Sequence, residues 1–500
     1  MLVSLLSISF LSLVLATCAA WLYSRTRTHA RLPPGPPGHW LFGNKVPHPH
    51  AWLTFEQWRK VYGDVFSLRL GSQTLVVVAG YQANIDLMEK QAAYLDSRPR
   101  SIAAGAILSG GMRTLLMPSG NRLRRLRKAL HGQLQPKAAA TYEPMQTHAA
   151  HRLMHDILED PSQFREHIMN FSAIFNMSLA YGKPASTTAK TNPDVLAVTT
   201  CLRRLGHANR PGAYWVDSFP LLYYVPWYGR QLKRWHQEEL ALFRGQLDRV
   251  HEKMINGTET SDCFAKQIIE KQAEYGLSDN EAAYLAGSLF GAGADATDSA
   301  ISILVLAMAC WPEATKKAQS ELDRVVGRDR MPSFADRSSL PYIEAFILET
   351  YRWRGLSFGG VMHAATKDVI WNDHVIPKGS LIISNHWSIH MDKRVFSEPE
   401  KFMPERWLKN KEQGNDIRLF VFGEGRRVCP GQVVSERSLF IVMATLLWSF
   451  HVRQDPFAPI DASPERFTDT VTSHALPYSA LFEARDNSVP VMIENSLTDH

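Results

Sequence analysis

The sequence predicts a mainly α-helical fold with minor β structure, preceded by one N-terminal transmembrane helix. Three observations carry this reading. Between residues 120 and 355 apolar residues recur at helical spacing. Strand-like runs are few and short. The first 23 residues hold no charge and are rich in Leu, Val, Ile, Phe and Ala.

Taken in order, residues 1–23 form the expected anchor, since about 20 apolar residues at about 1.5 Å each span a bilayer core. A cleaved signal peptide normally starts with a basic residue and has a shorter apolar run, whereas the first charge here is Arg25. Arg25, Arg27 and Arg31 follow the run and predict that the rest of the chain stays on the cytosolic side. Residues 24–40 make a basic, Pro-rich hinge through Pro33-Pro34-Gly35-Pro36-Pro37. Proline fixes φ and removes an amide donor, so no helix continues through it, and a stiff spacer is expected.

The catalytic body is expected over 41–485. Runs 65–70 and 74–78 flank Gly71-Ser72 and predict a hairpin. Residues 237–254 and 282–309 read as long helices. Ser278 with Glu281, just ahead of the second, has the form of a capping box. Segments 370–383 and 473–483 return to strand-like pattern. Residues 486–500 read as a loose polar tail.

Composition narrows the class. Of 500 residues, 45% are apolar and 21% charged, enough to bury a large core. The net charge of +6, from 55 basic and 49 acidic residues, is mild and lacks the dense basic stretches of a nucleic-acid binder. The five cysteines, Cys18, Cys201, Cys263, Cys310 and Cys429, form no CxxC pair. That odd, scattered pattern argues against a disulfide framework or zinc site and suits a reducing compartment with one cysteine available for chemistry.

The densest chemical signal is Phe422-Gly423-Glu424-Gly425-Arg426-Arg427-Val428-Cys429-Pro430-Gly431. Its glycines, Gly425 and Gly431 among them, allow a tight turn whose amides point at one atom. Pro430 suits the first position of a helix, which would aim its positive end at the Cys429 sulfur and favour a thiolate. Phe422 would shield the sulfur, and Arg427 could pair with a cofactor carboxylate. A lone cysteine is more often an inert buried thiol; here the surrounding pattern reverses that. Glu349 and Arg352 share a helix face at a spacing of three, and Arg406 in Phe402-Met403-Pro404-Glu405-Arg406-Trp407 could join them in a buried network. Gly291-Ala292-Gly293-Ala294-Asp295-Ala296-Thr297 places small residues and an acid inside an apolar helix, a local departure that marks functional sites.

At these residues the chain resembles the cytochrome P-450 superfamily over nearly its whole length and in the family's order of motifs. Its style, with Asn385-His386-Trp387 and the 402–407 segment, resembles fungal microsomal members of secondary metabolism. The resemblance implies haem b with Cys429 as axial thiolate, whose electron donation favours O–O cleavage. It implies that Arg127, His363 and Arg427 hold the haem propionates, and that Glu349, Arg352 and Arg406 are structural. It implies Asp295 and Thr297 as candidate catalytic residues. Pocket segments would be 101–112, 289–297, 356–361 and 470–474.

Two departures stand out. Leu123 replaces a Trp that commonly supplies a propionate contact. Ala296 stands where the family usually has a Thr directly after the acid, and Ala cannot hydrogen-bond through its side chain. The resemblance implies that the Thr hydroxyl helps deliver protons to bound oxygen. Thr297 is one step on, turned about 100° on an ideal helix. Either a water or substrate hydroxyl substitutes, a local bulge re-aims Thr297, or the enzyme does not activate O2 in the usual way.

The expected function is O2-dependent oxidation of a lipophilic small molecule at the endoplasmic reticulum membrane, catalytic body in the cytosol. Electrons would come from NADPH-cytochrome P-450 reductase, with cytochrome b5 a second candidate donor. Arg124, Arg125, Lys128 and Arg426 would offer it a basic face. Two alternatives stay open: a reductase-independent haem-thiolate isomerase or dehydratase, motivated by Ala296, and an inactive haem-binding partner protein.

Overall fold

A computed structural model describes residues 32–183, 192–210, 212–257, 262–414 and 417–498. The expected anchor at 1–23 lies outside them. The chain divides into two compact units, Met1–Ser97 with Val361–Ile389, and Arg98–Gly360 with His390–His500.

The smaller unit is built on a sheet. Helix α1 (Ala51–Tyr62) precedes the hairpin β1 (Val65–Leu70) and β2 (Gln73–Val78). The expected hairpin is therefore present, one residue longer at β2. Strands β3 (His363–Ala364), β4 (Val369–Trp371), β5 (His374–Ile376) and β6 (Leu381–Ser384) follow much later in the chain. The main sheet runs β1-β2-β6-β3, with β2 and β6 parallel, while β4 and β5 pair separately. Alternation along β2 sends Leu75 and Val77 to one cluster with Phe55, Phe66 and Leu68, and Val76 and Val78 to another with Val65 and Ile382. Both faces of this sheet are thus covered.

The Pro-rich run is docked in this unit. The Pro33 carbonyl accepts from the Ser67 hydroxyl at 2.6 Å, and the Pro34 carbonyl from the Ser67 amide at 2.8 Å. A Cβ on Gly35 would overlap the Ser67 carbonyl, so the close approach requires glycine. Residues 33–35 are therefore packed along β1, where a stiff spacer between anchor and body was expected.

The larger unit is helical. Its long elements are α2 (Asn121–Leu134), α3 (Glu143–Glu159), α4 (Phe164–Tyr181), α5 (Pro193–Ala208), α6 (Arg230–Ile255), α7 (Asp279–Cys310), α8 (Pro312–Val325), α9 (Pro341–Trp353), α10 (Glu405–Glu412), α11 (Gln432–Ser449) and α12 (Val489–Thr498). Helix α7 is long and apolar enough to cross a membrane, but most of it is buried inside the fold. It opens on the expected capping box: Ser278 caps the Glu281 amide and Glu281 returns to the Ser278 amide at 3.1 Å. Its glycines are seats for neighbours. A Cβ on Gly287 would strike Phe243 of α6, and one on Gly293 would strike Asn176 of α4.

Two expectations are corrected here. Of the strand-like segment 473–483, β8 (Ala480–Ala484) pairs with β7 (Phe450–Gln454) and Ala475 makes a single bridge to Phe467; Pro477, between them, has no amide for a ladder. The tail is not loose over 489–498. It forms α12, packed on α3 with Val489 and Ile493 buried, because its apolar residues recur at helical spacing and outweigh its polar composition.

Candidate active site

Cys429 sits in the loop between α10 and α11. Its amide donates to the Phe422 carbonyl at 2.8 Å, closing a short ring of backbone. Gly423 and Gly425 turn this ring at φ of 77° and 56°, where L side chains are strained. Gly431 has an ordinary φ of −86°, so its backbone does not demand glycine. Helix α11 starts at Gln432, two residues after Pro430, so Pro430 is not the first helical residue expected. The amides of Gly431 and Gln432 still point to the Cys429 sulfur and, with Arg127, lower its pKa. Burial is the larger effect and pushes the free thiol up. Cys429 nonetheless keeps open surface, while Cys201 and Cys263 are buried and Cys310 is intermediate. Phe422 lies half-buried with its ring edge-on to Tyr351 at 5.5 Å.

Beside this loop the structure gathers three guanidinium groups. Arg127 of α2 donates to the Val428 carbonyl at 2.7 Å. Arg427 donates to the Met117 carbonyl at 2.8 Å. Arg98 donates to the Leu115 carbonyl at 3.1 Å. Burial, then repulsion from Arg427 and Arg127, push the Arg98 guanidinium down, with Glu424 acting in the other direction. A guanidinium does not surrender its proton in a protein, so the cluster is a standing excess of positive charge. It suits an anionic group such as a pair of carboxylates. Arg98 had no sequence signal; its part depends on the approach of residues 329 positions along the chain.

The donor set fits haem. Among the described residues no group of three or more His, Cys, Asp or Glu is gathered for a metal ion. One sulfur with amides aimed at it, next to clustered guanidiniums, suits an iron whose other ligands come from a porphyrin bearing carboxylates.

A buried network of Glu349, Arg352 and Arg406 leads to this loop. Glu349, fully buried on α9, accepts from Arg352 at 2.9 and 2.8 Å, from Arg406 at 3.1 Å and from the Trp407 indole at 3.0 Å. Arg352 also donates to the His390 carbonyl at 3.1 Å, and the His390 ring accepts from the Phe420 amide at 3.2 Å. The chain of bonds thus reaches the start of the cysteine loop.

On α7, Thr297 is buried, while Asp295 and Ala296 are part-exposed. The helix runs without interruption through them, so Thr297 is not re-aimed. Asp295 meets His474, whose Nε2 is 3.2 Å from its Oδ1. The Ser473 amide donates to the Leu356 carbonyl at 2.7 Å, and the Ser299 hydroxyl to the Ser473 carbonyl at 2.6 Å. Segments 289–297, 356–360 and 470–474 are therefore brought together. Segment 101–112 holds a π-helical turn, Ile102–Leu108, packed on α5 and α6. In the smaller unit His363 is buried, with Nδ1 2.8 Å from the Leu95 carbonyl. One ring nitrogen is thereby engaged, and its assignment stands on sequence context.

One member of the expected basic face, Arg125, is tied to an acid. Arg125 bonds both oxygens of Glu281 at 3.2 Å, because α2 lies against the start of α7, and Lys128 stands over the Tyr275 ring. Arg124, Lys128 and Arg426 remain exposed.

Residues 33–482 match the family Cytochrome P450. The chain is 47% identical to Cytochrome P450 monooxygenase 64 of Postia placenta over 467 residues, 93% of each chain. It is 45% identical to Cytochrome P450 monooxygenase 113 of the same fungus, covering 95% of this chain and 96% of that one. A solved zebra fish cytochrome P450 with abiraterone shares the fold at TM-score 0.70 and 20% identity, over 87% of this chain and 100% of that one. The chain belongs to the Cytochrome P450 family and is a haem-thiolate monooxygenase.

Proposed function

We propose that the chain is a reductase-dependent monooxygenase that oxidises a lipophilic small molecule in secondary metabolism, with Cys429 as axial thiolate. The observation that carries this is the meeting of the cysteine loop with Arg98, Arg127 and Arg427. The three cations would hold the haem carboxylates, and the Gly431 and Gln432 amides would steady charge on the sulfur. Bound haem supplies the activation of oxygen and its insertion into substrate. Glu349, Arg352 and Arg406 hold the loop in place for it.

The membrane reading is that residues 1–23 anchor the chain at the endoplasmic reticulum. A row of exposed large apolar residues, Trp215, Phe219, Leu221, Tyr224 and Trp227, supports contact with lipid by the larger unit as well. The electron donor is proposed to be NADPH-cytochrome P-450 reductase, with cytochrome b5 as a second donor. The test is NADPH consumption by full-length protein with added reductase and product profiling in an expressing host. Product that tracks NADPH supports the proposal; reductase-independent conversion would overturn it.

A further inference from the structure

The loop carrying His474 is pinned before the side chain begins. Besides the Ser473 bonds to Leu356 and Ser299, the Thr468 amide donates to the His474 carbonyl at 2.9 Å, and the His474 amide donates to the Thr468 hydroxyl at 3.0 Å. The ring is thereby laid across α7. Nε2 is 3.2 Å from Asp295 Oδ1, and Nδ1 is 3.6 Å from Asp298 Oδ2. Residues three apart on a helix share a face, so one ring bridges both carboxylates.

A neutral imidazole has one N–H; serving two acceptors requires both nitrogens protonated. Burial disfavours that charge, but the two aspartates overcome it and push the ring up to about 9. Other charged groups on the elements packed here are Arg466 and Asp469 on the loop itself and Arg165 of α4. Arg165 is turned to the Ala475 and Leu476 carbonyls at 3.0 and 3.2 Å. The two aspartates are the groups within ion-pair distance of the ring.

We propose that His474 is the positioning residue for Asp295, fixing the carboxylate beside Ala296 and handing it a proton that a hydroxyl at 296 would otherwise help to supply. The proton leaves Nε2 for Asp295 Oδ1 only as that carboxyl passes a proton on into the site, since the bridge at rest favours the charged ring. The neutral ring beside a carboxylic acid is a transient pair. The ring then takes a proton back from solvent, to which 26% of the side chain is open. No electrons move in this step. The proposal rests on the monooxygenase reading.

Two measurements test it. The first needs no turnover: thermal stability of resting full-length protein against pH, wild type beside His474→Gln. A raised folded-state pKa gives stability present below about 6.5 and lost as pH rises through about 9. The gap between the two proteins should therefore close across that window. A gap equal at pH 7 and pH 10 overturns the charged bridge.

The second is the ratio of product to NADPH consumed near pH 7.5. His474→Gln should lower it about tenfold or more, with hydrogen peroxide released instead; general acid–base groups typically contribute about 10²–10⁴-fold. His474→Arg keeps the cation but does not release its proton, so it should be as uncoupled as the Gln variant. A fully coupled Arg variant would show that the ring only anchors the loop and would overturn the relay. Wild-type protein that consumes no NADPH with reductase would sink the monooxygenase reading and the relay with it. A silent His474→Gln in an enzyme that turns over sinks the relay alone.

Discussion

Glu349 and Arg352, one helical turn apart on α9, are both buried and joined by two hydrogen bonds of 2.9 and 2.8 Å. Neither charge can be removed alone at small cost, because the survivor is left buried without its counter-ion. Glu349→Gln should therefore destabilise the protein by about 3–5 kcal/mol. It should also lower the haem-to-protein ratio of purified material, since the same carboxylate holds Arg406 and Trp407. Denaturant melts and haem content check this; unchanged values for both would remove the network from the account.

Arg98 gives a prediction about cofactor retention. Arg98→Leu removes one of three clustered cations and should speed haem loss to an acceptor by about tenfold, the scale of one charge-assisted hydrogen bond of about 1.5–3 kcal/mol. Arg124→Ala, at an exposed position on α2, should leave the rate unchanged.

For Ala296 the expectation concerns coupling. Ala296→Thr restores a hydroxyl on the part-exposed side of α7 and should raise product per NADPH for poorly coupled substrates. Thr297 is buried, so Thr297→Ala should matter less than Asp295→Asn. Peroxide release measured in the three variants decides between them. Thr297→Ala as damaging as Asp295→Asn would mean that Thr297 has the hydroxyl role.

The docked tail is predicted to be acid-sensitive. Hydrogen bonds from Ser488, against a smaller burial effect, and from Arg328 hold Asp486 down at about 2. Its contribution is present above the unfolded value of about 3.9 and is lost as pH falls through about 2. Hydrogen exchange across α12 should rise in that window, and Arg328→Ala should shift the onset upward.

The parts of this molecule governed by local rules were legible in its sequence. The β1–β2 hairpin, the Ser278–Glu281 box, the Glu349–Arg352 pair and the turn at Gly425 each follow from spacing or backbone chemistry over a few residues. What escaped depends on distant segments meeting. Arg98 reads as an ordinary surface cation until Arg427 and Arg127 stand beside it. His474 lies 179 residues from Asp295, and nothing near it in sequence announces the bridge. Arg125 reads as a solvated face, but α2 lies against Glu281. The tail reads as loose because its polar residues outnumber the two, Val489 and Ile493, that bury it.

The central claim is that Cys429 is the thiolate ligand of haem. It is tested most directly by the absorption spectrum of the reduced full-length protein under carbon monoxide, wild type beside Cys429→Ala and Cys429→His. The account predicts the red-shifted Soret band of a complex opposite a thiolate in the wild type. It predicts loss of that band in both variants, with the His variant giving the shorter-wavelength band of a neutral nitrogen ligand if it keeps haem. A Cys429→Ala protein that retained the red-shifted band would contradict it.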